Sequence, residues 1–299
     1  MKPQSVYQVS AVVAPVAEDA VTELLFTVFE EPSSAYVDLK KKLAIVSVYL
    51  PGRRRPTNKQ IKQLEEGLVF IRECGLDVGS GEIHERFVKK AEWLENWKKH
   101  FTPLDIGGRL LIKPSWEKRK AAKGAHEIVL DPGVSFGTGH HATTGFCLEQ
   151  LVALRDDGSK QSVLDIGTGS GILAIGAAKL GYGPIVAYDF NADSVRSARE
   201  NCERNKVADS VRPTRKDLTR QSVDSVRKYH VVCANLIYDL LIAERERITN
   251  RVRPGGMLVL AGILETQFNK VRRAFADKGM KLIDSKVEGE WKSASFRWK

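Results

Sequence analysis

An α/β chain in two parts is predicted by three observations. In the first 88 residues, two amphipathic helical patterns are interleaved with four short strand-like runs in the order β-α-β-β-α-β. From about residue 160 onward, apolar strands alternate with helices, the pattern of a mostly parallel, doubly wound sheet. Charge divides along the same line. Residues 1–106 hold 15 Lys+Arg against 15 Asp+Glu, whereas residues 107–299 hold 32 against 22 and carry the whole formal charge of +10.

Residues 6–13 (VYQVSAVV) read as a strand. Over 16–29, Val21, Leu24, Leu25 and Val28 recur at helical spacing and give one apolar face. Strands are expected at 35–39 and 43–49, turned at Lys40-Lys41-Lys42 and ended by Pro51-Gly52. Thr57 is placed to cap a helix whose apolar face is Ile61, Leu64, Leu68 and Ile71. A last strand fits 82–88, completing the order of a ferredoxin-like domain over 1–88. Residues 89–106 form a linker, with a short helix over 92–99 that puts Trp93 and Trp97 on one face to anchor it against a domain.

In the second part, helices are expected at 191–205, 238–249 and 265–278. Strands are expected at 229–234 and, after Pro254-Gly255-Gly256, at 257–261. Two final strands, 281–287 and 291–298, join through Gly289 and suggest an antiparallel pair at one edge of the sheet.

Composition excludes several classes. No apolar run approaches the length of a membrane span, and no continuous apolar signal region opens the chain. Cys74, Cys147, Cys202 and Cys233 are scattered without a C-x-x-C pair, which favours a reducing cytoplasmic setting with buried thiols over a zinc site or a disulfide framework. The runs Arg53-Arg54-Arg55 and Lys118-Arg119-Lys120 are read as solvated loops. The basic surplus leaves a ribosome or RNA contact open.

The chemistry-bearing stretch is VLDIGTGSG at 163–171, followed by Asp189 at the end of the next apolar run. Gly167, Gly169 and Gly171 sit between strand and helix, where positive φ or close approach of a ligand needs glycine. Such a turn also aims free N–H groups at a ligand, and an acid ending the second strand suits ribose hydroxyls. An adenosine-containing cofactor follows. Counted from Gly169, with Ala174 in sixth position, the run satisfies the weaker dinucleotide fingerprint. Read as D-x-G-x-G-x-G from Asp165, it resembles motif I of the S-adenosylmethionine-dependent methyltransferases.

Two further segments bear on the site. DPGVSFGTGHHATT (131–144) is dense in turn residues before a helix start, and either Thr143 or Thr144 could cap that helix or line the site. His140 and His141 lack partners at metal-ligand spacing, so no metal is expected; contact with cofactor or substrate and a plain surface position both remain open. Asn235 ends the strand VVCAN, where a side chain faces the ligand crevice of a parallel sheet and could orient an amine, or simply start a turn.

These segments together are similar to the ribosomal large-subunit protein L-eleven methyltransferase family. The residues that carry the resemblance are DPGVSFGTGHHATT, VLDIGTGSGILAI, Asp189, ANL (234–236), PGG (254–256), AGIL (261–264), the linker WLENWKKHFTPLDIGGRLLIKPSWE (93–117) and GEW (289–291). It spans roughly residues 85–299. Two departures are Val134-Ser135, where the family often has Met-Ala, and Leu-Ile-Tyr after Asn235 in place of the N-P-P-Y motif of many amine and amide methyltransferases.

The resemblance implies a Rossmann-like, seven-stranded methyltransferase sheet over 107–299, with the N-terminal domain recognising a protein substrate. The implied activity is transfer of methyl groups from S-adenosylmethionine to lysine ε-amines or the N-terminal α-amine of ribosomal protein L-eleven, by a cytoplasmic enzyme acting as a monomer. By position, Thr144, Gly167, Gly169, Asp189 and Asn235 would contact the cofactor, with Phe136, Gly137 and Thr138 lining the pocket and Asn235 orienting the amine. A lysine of another protein, ribosomal RNA, a nicotinamide-dependent oxidation and a non-catalytic ribosome-binding module are the competing expectations.

Overall fold

The computed structural model describes residues 5–31, 33–38, 41–50, 54–89, 102–131 and 142–298. It forms two units, Met1–His100 and Phe101–Lys299. The first contains β1 (Ser5–Val13), α1 (Glu18–Phe29), β2 (Ser33–Asp38), β3 (Leu43–Leu50), α2 (Asn58–Glu73) and β4 (Glu82–Lys89). Its four strands make one antiparallel sheet in the order β2-β3-β1-β4. Alternation along β1 sends Tyr7, Val9, Ala11 and Val13 into a core shared with Val21, Leu25 and Phe29 of α1 and Leu64 and Leu68 of α2. Thr57 caps α2: its hydroxyl accepts from the Gln60 N–H at 3.2 Å while Gln60 Oε1 accepts from the Thr57 N–H at 3.1 Å.

The segment expected to be a connection, 89–106, is not wholly one. Leu104–Ile106 is a strand, β5, which pairs with β6 (Leu110–Lys113) and so belongs to the second unit. β7 (His126–Val129) completes a three-stranded sheet that the sequence reading missed, because three or four residues are too few to show a period. The helix expected over 92–99, with Trp93 and Trp97, lies outside the described residues.

The larger sheet has the order β10-β9-β8-β11-β12-β14-β13. Its strands are β8 (Val163–Ile166), β9 (Ile185–Asp189), β10 (Thr214–Arg215), β11 (Tyr229–Asn235), β12 (Val252–Ala261), β13 (Met280–Glu288) and β14 (Trp291–Trp298). The first five are parallel, and the final pair is antiparallel, as expected. Helices α3 (Ala142–Ala153), α4 (Ile172–Lys179), α5 (Ala192–Arg204), α6 (Tyr238–Ala243), α7 (Arg245–Thr249) and α8 (Glu265–Ala276) cover it. Val163 and Val231 face one core with α3 and α4, and Leu164 and Val232 face the other with Phe268 and Phe275 of α8. Each large apolar side chain sealed in this way contributes about 1.5–3 kcal/mol.

Two details depart from expectation. Pro254-Gly255-Gly256 lies inside β12 rather than before it. The helix expected over 238–249 is broken at Glu244, which is 8% exposed and accepts from Arg247 Nη1 at 2.5 Å. Among the described residues no helix is long and apolar enough to cross a membrane.

The chain runs outward from β8 to β9 and β10, then returns to place β11 on the other side of β8. The carboxyl edge between β8 and β11 is therefore a topological switch point, where parallel sheets open a crevice for ligands.

Candidate active site

Gly167, Gly169 and Gly171 turn the chain from β8 into α4 at that switch point, with φ of 70°, 53° and 85°. All three lie in the left-handed region that glycine enters without steric cost. A Cβ on Gly167 would stand 2.5 Å from Leu236 Cδ2, so the end of that leucine would have to move aside.

Four N–H groups of this turn are bonded within the protein, which corrects the expectation that they would be free for a ligand. Gly167 and Thr168 both donate to the Tyr188 carbonyl at 3.0 Å, Gly169 donates to Asp189 Oδ2 at 3.0 Å, and Gly171 donates to the Thr168 carbonyl at 2.8 Å. The start of α4 is also occupied. Asp165, 1% exposed, accepts the Thr168 hydroxyl at 2.6 Å and the Ala174 N–H. Burial pushes its acid up to about 6 against these hydrogen bonds, and nearby Asp189 adds to the rise. A pyrophosphate needs free turn N–H groups and a vacant helix N-terminus. Here the Tyr188 carbonyl and Asp189 take the N–H groups of Gly167, Thr168 and Gly169, and Asp165 takes that of Ala174, which argues against a pyrophosphate bound in this turn.

Asp189 ends β9, level with Gly167. Its Oδ1 accepts the Asn191 N–H at 3.0 Å and its Oδ2 the Gly169 N–H, which fixes the carboxylate in one orientation. It is 7% exposed, and each oxygen keeps a second lone-pair site for a hydroxyl donor.

Asn235 ends β11 across the switch point. Its Nδ2 donates to Thr143 Oγ1 at 3.2 Å, while its Oδ1 is buried without a hydrogen-bond partner. Thr144, 1% exposed, holds a second such atom, Oγ1. Thr143 and Thr144 are not N-terminal caps, as one reading had them; both lie inside α3. Leaving a buried acceptor unpaired costs about 1–3 kcal/mol. Asn235 Oδ1, at the carboxyl edge of the sheet, marks a place where a ligand's donor belongs. Phe136, Gly137 and Thr138, with His140 and His141, lie outside the described residues.

The sequence reading missed two features. Gly262, at φ 80°, lets the chain after β12 pass Asn235: a Cβ there would lie 3.0 Å from Asn235 Oδ1 and 2.6 Å from the Leu236 carbonyl oxygen. Beyond Asp189, a cavity of about 640 Å³ is lined by Phe190, Arg215, Lys216, Asp217, Arg220 and Gln221. Phe190 is 69% exposed there. The Thr219 hydroxyl and N–H donate to Asp217 Oδ1 at 2.8 and 2.9 Å and hold its carboxyl below the usual range. The signal for this cavity in the sequence is only an apolar residue after Asp189, since β10 is two residues long.

Comparison with known proteins finds relatives over most of the chain. A ribosomal protein L11 methyltransferase of Agathobacter rectalis is 34% identical over 276 residues, covering 88% of this chain and 84% of that one. One of Trichlorobacter lovleyi is 43% identical over 210 residues, covering 69% and 68%. Among solved structures, a ribosomal protein L11 methylase from Lactobacillus delbrueckii subsp. bulgaricus is 27% identical and superposes with a TM-score of 0.59 over 66% of this chain and 98% of that one. The family model described as ribosomal protein L11 methyltransferase (PrmA) matches residues 6–299, and the chain belongs to that family.

Proposed function

We propose that this protein transfers methyl groups from S-adenosylmethionine to amines of ribosomal protein L11, at lysine ε-amines, the N-terminal α-amine or both. The observation that carries the reading is the unpartnered Oδ1 of Asn235, buried at the switch point beside the glycine turn. An amide oxygen held in place by Thr143 and lacking a donor suits an amine N–H.

The residues fit the cofactor. Gly167 and Gly169 leave the turn without side chains where its amino-acid end would lie, Thr144 brings a hydroxyl, and Asp189 offers acceptors to ribose hydroxyls. Phe190 and Asp217 frame the cavity suited to the adenine ring. Phe136, Gly137 and Thr138 are assigned to the same pocket from the family resemblance. When bound, S-adenosylmethionine supplies a methyl group on a cationic sulfur and leaves as a neutral thioether.

The chain's part is then to exclude water, hold the amine in line and leave its lone pair free. A free lysine has a reference pKa of about 10.4 and must lose a proton first. Burial beside a positive charge lowers that value, and Asn235 Oδ1 can accept the remaining N–H as the nitrogen turns to the methyl. The β-α-β-β-α-β unit, read as ferredoxin-like, would select the protein substrate. The buried free thiols of Cys147, Cys202 and Cys233 suit the cytoplasm.

Calorimetric titration and a label-transfer assay test this reading. S-adenosylhomocysteine should bind while NAD does not, and tritium from labelled cofactor should reach L11. Label reaching only ribosomal RNA would overturn the substrate.

A further inference from the structure

The amino edge of the large sheet, opposite the glycine turn, carries a row of cations. β11 and β12 are parallel, β14 runs antiparallel to β12, and β13 runs antiparallel to β14. The starts of β11, β12 and β13 therefore lie at one edge together with the end of β14. Arg227 and Lys228 precede β11, Arg253 follows the first residue of β12, Lys281 follows the first of β13, and Arg297 precedes the last of β14. All five are exposed. Lys281 and Arg297 are partners across their two strands. The row crosses four adjacent strands, a span of about 14 Å.

Neutral groups hold these cations in place. Arg227 lies over the Tyr229 ring at 5.5 Å. Lys228 Nζ donates to the Asn250 carbonyl at 3.1 Å. Arg253 Nε donates to the Pro254 carbonyl at 3.3 Å, and its Nη1 meets His230 Nε2. Arg297 Nε donates to Met257 Sδ at 3.3 Å. Burial and the charge of Arg253 hold the His230 imidazole below its usual range, which keeps the ring neutral. Among the described residues no carboxylate pairs with any of the five. Other cations of this unit differ: Arg155 meets Asp157 at 3.5 Å, Arg204 meets Asp131 at 3.1 Å, and Lys113 meets Glu127 at 2.9 Å. The row is positioned without being neutralised, and its five charges are half of the +10 carried by residues 107–299.

We propose that this amino edge binds the phosphate backbone of RNA. The choice of polyanion rests on the ribosomal substrate of the function proposed above, since a ribosomal protein is met in the company of RNA. A guanidinium fork donates two parallel hydrogen bonds to a phosphate, and three of the five cations are arginines. Fixed cations repeated at strand spacing suit a repeating anion rather than a single one. β11 runs from this edge to Asn235, a distance of about 20 Å. RNA on the row leaves the carboxyl edge open, so the enzyme can stay on RNA while an amine of L11 reaches Asn235. Holding enzyme and L11 on one RNA raises the effective concentration of each for the other.

Fluorescence anisotropy with a short labelled RNA hairpin over a salt series tests the assignment, with methyl transfer to free L11 measured in parallel. The triple variant R227Q/R253Q/R297Q should bind RNA about tenfold more weakly or worse, and its slope of log affinity on log salt should shrink by about two to three. R227K/R253K/R297K keeps the charges and should keep most of the affinity. K118Q/K120Q/K123Q removes equal charge from the loop between β6 and β7 and should change RNA affinity by less than about twofold, because phosphate contacts are local. Transfer to free L11 should stay within about twofold of wild type in all three, since none of these residues lies at the carboxyl edge. No RNA binding by the wild type, equal losses in the two glutamine variants, or binding of phosphatidylserine vesicles in place of RNA would overturn the RNA edge and leave the methyltransferase reading standing. RNA binding through the row without transfer to any L11 amine would remove the methyltransferase reading instead.

Discussion

Gly262 and Asn235 are fitted so closely that a single methyl group on Gly262 would reach 3.0 Å from Asn235 Oδ1. The glycine comes from the turn after β12 and the asparagine from the end of β11, so two adjacent strands fix one amide. Gly262→Ala adds two strains: a positive φ of 80° and a 2.6 Å approach to the Leu236 carbonyl oxygen. The expected cost is about 1–3 kcal/mol of stability. Transfer should fall further than folding does, because relief of the clash displaces Asn235. Urea midpoints and single-turnover rates on the same samples separate the two effects.

Asn235 itself divides binding from chemistry. Asn235→Ala removes the unpartnered oxygen and the hydrogen bond from Asn235 Nδ2 to Thr143. The fold should survive, since the residue ends its strand and only one side-chain hydrogen bond is lost, worth about 1 kcal/mol. Single-turnover transfer should slow by about 10²-fold if the amide aligns the amine. Wild-type single-turnover rates in this variant would remove that role.

Much of the site was legible because its signals are local. Gly167, Gly169 and Gly171 announce positive φ by their spacing, and Asp189 and Asn235 announce strand ends by closing apolar runs. The two flanking cores follow from the same runs. What stayed hidden depends on long-range geometry. Gly262 is one glycine among 24 until Asn235 is seen against it. β5, β6, β7 and β10 are too short to show a period. The use of the turn's N–H groups by Tyr188 and Asp189 requires β9 beside β8, a pairing that motif spacing alone does not specify.

The clash at Gly167 is separable into its parts. Gly167→Ala meets Leu236 Cδ2 at 2.5 Å and also takes an L-residue to φ 70°. The backbone part alone should cost about 1–2 kcal/mol. Adding Leu236→Ala removes the flexible obstacle and should recover the steric part only. A double variant as stable as Leu236→Ala alone would show that the turn carries no φ strain. Thermal midpoints of the four proteins decide the matter.

The buried Asp165 ties the cofactor turn to pH. Burial raises its folded acid to about 6 from an ordinary 3.8, despite the hydrogen bonds from Thr168 and Ala174. The folded protein therefore binds this proton more tightly than the unfolded chain does. Between about pH 4 and 6 the native state carries more protons, so the contribution of Asp165 falls as pH rises through that window. It is present below the unfolded value and lost above about 6, a difference of about 2–3 kcal/mol. Asp165→Asn cannot ionise, so its stability should lack this slope. Relative to that variant, wild type should gain stability on going from pH 7 to pH 4.5. The comparison is drawn from urea midpoints at half-unit steps, and equal pH profiles for the two proteins would mean that burial leaves the acid of Asp165 unshifted between folded and unfolded states.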